Sequence, residues 1–311
     1  MSRNFNIGSR DMVKAGRMVL DKYHHGGFQT KYDLGLRWEY FCNRFVHVGV
    51  KKMEAISFEL VVRYGQELQK EINLGERKGS SSAKCYVSAV NTVMTLATAG
   101  EWRVVRPGKD CGIEKRSSIA QDKALTREEH ERALTVVDER TACLMKLQRS
   151  FGLRFKESSL LNPKIALKHA REFGVIKLSR GTKGGRKREV PITANGIKAL
   201  EEAIAIRDGR TMIPKGTDYQ HFQDHCYRQA ELAGINFHGE RHAYAHGRYK
   251  DITQAPCPKE AGWQRKERMV KLAEYLGIDS EAAIELDHKA RLQVSNELGH
   301  NRVEVTNAYL G

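Results

Sequence analysis

One stretch of the sequence constrains the fold more than any other. Residues 106–123 (RPGKDCGIEKRSSIAQDK) show neither a helical nor a strand period, and they hold a proline, two glycines and several charges. Such a stretch reads as an interdomain linker. It divides the 311 residues into two blocks, 1–105 and 124–311, each long enough to bury its own core.

The blocks differ in period. In the first, a helix is expected over 9–23, with Met12, Ala15, Met18 and Val19 on one stripe, ending at His24-His25-Gly26-Gly27. A second is expected over 29–45, carrying Tyr32, Leu36, Tyr40 and Phe41, a third over 57–72, and a fourth over 80–99 with Val87, Val90, Met94 and Leu96 inward. The second block opens on a helix start at Leu125-Thr126-Arg127-Glu128-Glu129. Thr126 suits the N-cap, and the two glutamates sit where the helix dipole favours negative charge. Helix is expected over 127–151 and again over 157–161. Strands are expected over 164–168, 174–179 and 187–192, with Gly181-Thr182-Lys183-Gly184-Gly185 turning the chain before the last. From Ala194 onward the pattern is helical again. The fold class is therefore multidomain: an all-α front domain, then a mixed α+β domain, mostly α with a small antiparallel sheet.

Lys and Arg total 53 against 38 Asp and Glu, a formal charge of +15. Both blocks share the excess, +6 over 1–105 and +9 over 106–311, so both could face a polyanion, nucleic acid being the commonest for a soluble chain. No apolar run approaches a membrane span, and no signal peptide follows Met1. The six cysteines are scattered without a C-x-x-C pair, so the expectation is reduced thiols in a cytoplasmic, nucleoid-associated protein with no zinc site. Absence of a G-x-x-x-x-G-K-[ST] loop and of clustered carboxylates argues against ATP and two-metal chemistry.

Four pieces of the second block stand in a telling order. They are Gly152-Leu153-Arg154 with Glu157; Lys183 in a turn ahead of Arg188-Glu189-Val190-Pro191; His238-Gly239-Glu240-Arg241; and Leu298-Gly299-His300, with Tyr309 nine residues later. A phosphodiester under attack gathers negative charge on its non-bridging oxygens, and permanently protonated, forked guanidiniums such as Arg154 and Arg241 match that charge. A tyrosine hydroxyl needs help to lose its proton before it can attack. Together the four pieces resemble the tyrosine recombinase (phage integrase) family.

The resemblance implies a helical core-type DNA-binding domain (1–105) and a catalytic domain (124–311), clamped around double-stranded DNA. It implies Tyr309 as nucleophile, Arg154 and Arg241 on the phosphate, His238 as general base and acid, and His300 orienting the phosphate. Lys183 would be the acid for the leaving 5′-oxygen, with Glu157 holding the basic groups. A 3′-phosphotyrosine would conserve the bond energy, so that neither metal nor ATP is needed. A homotetramer on paired DNA sites is implied, as part of a phage or mobile element, with room for accessory DNA-bending or directionality proteins. Alternatives are a type IB topoisomerase, which uses the same residues as a monomer, and a catalytically silent DNA-binding regulator.

Some features depart from the family pattern or stay open. The 59 residues from Arg241 to His300 exceed the spacing in compact members, and they include a basic amphipathic helix over 264–276. That helix, with Met269, Leu272, Ala273 and Leu276 on one stripe, either braces the domain or uses Arg265, Lys266 and Arg268 to contact flanking DNA or a neighbouring protomer. Only two residues follow Tyr309, which puts assembly through a carboxyl-terminal tail in doubt, and a first helix from residue 9 leaves no room for an amino-terminal arm-binding domain. Arg186-Lys187-Arg188 in isolation reads as a solvated hairpin face. His242 and His246 read as structural or phosphate-adjacent, and Trp38, Trp102 and Trp263 as core.

Overall fold

The helical period of the front block is realised in four helices, two of them begun at a side chain that caps a free amide. A computed structural model describes residues 3–77, 79–114, 122–300 and 302–311, and the chain divides into units Met1–Ser118 and Ile119–Gly311. In the first unit, α1 (Met12–Tyr23) starts at Asp11, whose carboxylate accepts from the Lys14 amide, and α3 (Phe58–Asn73) starts at Ser57 in the same way. Between them runs α2 (Phe28–Val46), and α4 (Ser80–Ala97) completes the set. The core joins Trp38, Phe41, Tyr64, Leu68, Val87 and Met94, side chains that each contribute roughly 1.5–3 kcal/mol on burial. The Trp38 indole donates to the Met12 carbonyl at 3.0 Å. On α2 the buried face is Trp38, Phe41, Cys42 and Phe45, leaving Tyr32, Leu36 and Tyr40 exposed.

The expected linker begins inside this unit. Asn91 pairs with both the amide and the carbonyl of Val105, at 3.0 and 2.8 Å, and Cys111 and Ile113 are buried in the same core. Apolar side chains too few to show a period still suffice to dock this segment. The remainder of the expected linker, 115–121, lies outside the described residues.

In the second unit the expected helix over 127–151 is two helices, α5 (Arg127–Val136) and α6 (Glu139–Phe151), because Asp138 caps the latter through the Thr141 amide. Thr126 and Glu129 form a reciprocal capping box on α5. Then come α7 (Phe155–Leu160) and α8 (Pro163–Phe173). Residues 164–168, expected as a strand, are the first half of α8: Asn162 caps the Ile165 amide, and Pro163 fits the first turn, where its missing N–H costs nothing. The other two expected strands pair as an antiparallel hairpin, β1 (Val175–Leu178) with β2 (Arg188–Pro191), with Ile176 opposite Val190 and Leu178 opposite Arg188.

The chain continues through α9 (Ala194–Ile206), α10 (Tyr219–Leu232), α11 (Phe237–Thr253), α12 (Arg268–Leu276), α13 (Ser280–Glu297) and the short α14 (Asn307–Leu310). The helix expected from residue 264 starts four residues later. Leu144, Leu147, Phe151, Ile176, Val190, Leu200, Leu298 and Leu310 belong to one core that ties α6, the hairpin, α9 and the last turn together. A satellite cluster of Ala255, Leu272, Ala273 and Ala283, with Trp263 and Met269 packed against it, seats α12 on α13. Among the described residues no helix is long and apolar enough to cross a membrane.

Candidate active site

The candidate site is assembled where three helix termini meet. At the end of α6, Gly152 adopts φ +59°, and a Cβ there would lie 2.5 Å from the Tyr244 ring, so only glycine makes this turn. The turn delivers Arg154 to the N-cap of α7. The Glu157 carboxylate, one turn later, accepts from the Arg154 amide at 2.7 Å and from its guanidinium at 2.9 Å.

Glu157 is fully enclosed and serves more than Arg154. Arg188 on β2 forks onto both carboxylate oxygens, at 2.6 and 2.7 Å, and its Nε donates to the Glu297 carbonyl at 2.7 Å. Burial pulls the Glu157 pKa upward, but the Arg188 fork and the Arg154 contacts outweigh it and hold the carboxyl below its usual value. Arg188 is thus a buried ion-pair partner and not part of a solvated hairpin face. Its register opposite Leu178, alternating with inward Val190, was the available signal.

Arg241 is brought in by α11. Asn236 caps this helix through the His238 amide, and Glu240 anchors it to α6 and α5 through Arg149 at 2.9 Å and His130 at 2.6 Å. A Cβ on Gly239 would fall 2.9 Å from the Lys123 carbonyl and 2.7 Å from Leu125, so the H-G-E-R segment needs its glycine where the entering chain crosses. Arg241 has no exposed surface and donates to the Gly152 and Leu298 carbonyls. Burial pushes its pKa down to about 10, which still leaves it charged at neutral pH.

Around Arg241 the remaining groups converge. Its Nε lies 3.3 Å from the Tyr309 hydroxyl, and its Nη2 lies 3.3 Å from His300 Nε2, itself 3.4 Å from that hydroxyl. His238 is partly exposed, but its ring packs against those of Tyr309 and His242, with centroids 5.8 and 5.0 Å away. His242, one turn on, lies closer, at 4.5 Å, and its Nδ1 is buried without a partner among the described residues. Desolvation, followed by the charge of Arg241 and Arg154, draws His238 and His300 down to about 4, and burial beside His238 takes His242 to about 3. All three are neutral at pH 7.

Of the sequence-predicted set, Arg154, Glu157, His238, Arg241, His300 and Tyr309 share this pocket. Lys183 does not touch it: the side chain is exposed in the hairpin turn, and among the described residues no hydrogen bond or ion pair holds its ammonium, although its charge bears on His300. Sequence reasoning missed Arg188 as an ion-pair partner and passed over the tilted contact of the His242 ring with Tyr309, which an i, i+4 spacing from His238 could have suggested.

One grouping has metal-ligand chemistry: atoms of His246, Cys257 and Glu260 lie within 4.8 Å of one another. His246 Nε2 is already engaged by the Tyr309 carbonyl at 2.9 Å, and burial pushes the Cys257 thiol up to about 12, which disfavours the thiolate a metal would need.

Residues 112–247, spanning Arg154 to Arg241, match the family model described as Integrase. No curated protein matches the chain in sequence. The fold is similar to that of a lambda integrase (75–356) dimer bound to a COC′ core site, with TM-score 0.55 and 14% identity over 88% of this chain and 93% of that one. It is also similar to XerH site-specific recombinase bound to a palindromic difH substrate, with TM-score 0.53 and 16% identity over 91% and 82%. The Tn1549 transposon integrase in complex with a circular intermediate DNA gives TM-score 0.56 and 11% identity over 97% and 96%. The family match covers residues 112–247, and the likeness to these recombinases extends to the fold.

Proposed function

We propose that this protein is a site-specific recombinase that cleaves and rejoins duplex DNA through a 3′-phosphotyrosine on Tyr309. The observation that carries the reading is the triangle of Arg241, His300 and the Tyr309 hydroxyl, with edges of 3.3–3.4 Å. Arg241 and the Tyr309 hydroxyl form its buried side and His300 its half-buried corner, which puts a cation and a neutral imidazole where a tyrosine oxygen would meet a phosphate.

In the proposed reaction the Tyr309 oxygen attacks the scissile phosphorus and the bond from phosphorus to the 5′-oxygen breaks. Arg154 and Arg241 hold the non-bridging oxygens, and Glu157, locked by Arg188, holds the Arg154 side chain in place. His238, neutral and at the open edge of the Tyr309 ring, accepts the phenolic proton once substrate closes the distance. His300 donates to a phosphate oxygen. Lys183, on the exposed turn, gives its proton to the departing 5′-oxygen. The phosphoester bond energy is retained in the tyrosyl link, so a 5′-hydroxyl from the same or another duplex reverses the step.

The first unit, with its separate helical core and excess of basic residues, serves as the core-type DNA-binding domain preceding the catalytic domain. The neighbours' recorded states, bound to a core site, to difH or to a Holliday junction as a tetramer, support duplex DNA as substrate and four protomers on paired sites. Incubation with nicked suicide duplexes tests the class: a recombinase yields a covalent adduct and paired-site complexes, whereas a topoisomerase yields the adduct without pairing, and a silent regulator yields neither.

A further inference from the structure

Helix α14, which carries Tyr309, has four residues, a single turn whose Asn307 carbonyl accepts from the Gly311 amide at 3.3 Å. In the structure each of the last four carbonyls meets a donor from elsewhere in the unit. Lys259 Nζ donates to the Ala308 carbonyl at 2.7 Å, and His246 Nε2 to that of Tyr309 at 2.9 Å. The Lys259 backbone amide donates to Leu310 at 2.9 Å, and Arg268 Nη1 to Gly311 at 2.8 Å.

The start of α14 is held as well. The Asn307 side-chain oxygen accepts from Arg291 at 3.1 Å and from Arg268 at 3.4 Å. Arg291 is fixed in turn by Asp287, which also accepts from Tyr249 of α11 at 2.7 Å. Lys259, Arg268 and Arg291 all belong to the long stretch between Arg241 and His300. Of the three basic residues near the start of α12, only Arg268 turns inward; Arg265 and Lys266 stay exposed.

We propose that residues 254–297 are a positioning device for the nucleophile, gripping α14 by its carbonyls and Asn307 so that the Tyr309 hydroxyl faces Arg241 of the same chain. Lys259 and Arg268 suit the carbonyl end, because cations meet the negative end of α14 and their hydrogen bonds are charge-assisted, while Arg291 fixes Asn307 at its start. Lys259, Arg268 and Arg291 are positioning residues, since none touches the reacting atoms. The inference rests on the reading of Tyr309 as nucleophile.

The test combines hydrogen exchange of the DNA-free full-length protein with single-turnover cleavage of a suicide duplex. In Arg268→Ala, and separately in Lys259→Met, amides of 303–311 should exchange ~10-fold faster or more, with α5 to α11 unchanged. Adduct formation at saturating DNA should slow by ~10- to 100-fold, because a small displacement of a reacting group costs that much. DNA affinity should not change, and Arg268→Lys should recover part of the rate. Unaltered exchange at 303–311 in both variants, or a rise spread evenly over the whole unit in both, overturns the proposal. Exchange is read without DNA, so a wild-type protein that forms no adduct counts against the nucleophile assignment alone.

Discussion

The Nε of Arg241, a guanidinium with no exposed surface, lies 3.3 Å from the hydroxyl of Tyr309. An arginine held this way cannot be replaced by another cation at no cost. Its two Nη atoms are spent on the Gly152 and Leu298 carbonyls, leaving Nε and one Nη edge for the pocket. Arg241→Lys keeps the charge and loses the fork, and cleavage is expected to fall by ~100-fold or more while DNA still binds. Single-turnover cleavage alongside a binding isotherm checks this. Near-wild-type cleavage by the lysine variant would remove the guanidinium geometry from the account.

Glu157 is expected to matter first for stability. Neutralising it in Glu157→Gln leaves Arg188 charged, buried and half-paired, a change that costs about 3–5 kcal/mol in comparable pairs. Arg188→Met should destabilise comparably, and the double variant should lose less than the two singles added, because the residues act on one contact. Urea midpoints of the four proteins measure this. Strict additivity would mean that the pair is not the unit described.

Lys183 has a sharper test, because its assignment comes from the family resemblance and its turn position, with no hydrogen bond or ion pair to the other site residues among the described residues. If its ammonium protonates the leaving 5′-oxygen, Lys183→Ala should be rescued by a substrate with sulfur at the 5′-bridging position, since a thiolate departs without an acid. Arg186 and Lys187 variants should weaken binding in a salt-dependent manner instead. Rescue of a Lys187 variant in place of Lys183→Ala would move the acid along the turn.

The imidazoles predict a pH dependence. His238 and His300 stand near 4 and His242 near 3, against 6.5 unperturbed. Burial draws them down first, and then the positive charge of Arg241 and Arg154 around His238 and His300 and of Lys123 and Lys259 nearby. Between about 6.5 and those lower values the unfolded chain binds more protons than the folded one. Stability conferred by the neutral rings is therefore complete above 6.5 and is lost as pH falls through that window. Thermal midpoints should drop from pH 7.5 to pH 4.5, and less steeply in His242→Phe. Equal slopes for both proteins would contradict the assignment.

How much of this was legible beforehand follows physical lines. Arg154, His238, Arg241, His300 and Tyr309 were singled out through the family resemblance of four short motifs. The structure brings them together although 84 residues separate Arg154 from His238 and 59 separate Arg241 from His300. Arg188 was not, because it sits in a basic run and only its register opposite Leu178 turns it inward. The helix over Pro163–Phe173 was misread at 164–168, since a short apolar run such as Ile165-Ala166-Leu167 fits either period. The stripe on α12 could be read, but not that Arg268 would leave its basic neighbours to bind the final turn, because that contact joins positions far apart in the chain.

The account stands most directly on the nucleophile. Wild-type protein incubated with a nicked suicide duplex, then denatured and run on a gel, should show a protein–DNA adduct whose tryptic phosphopeptide contains Tyr309. Tyr309→Phe should bind the same duplex with unchanged affinity and form none. A covalent complex from the phenylalanine variant, or an adduct mapped to another tyrosine, would contradict the central claim.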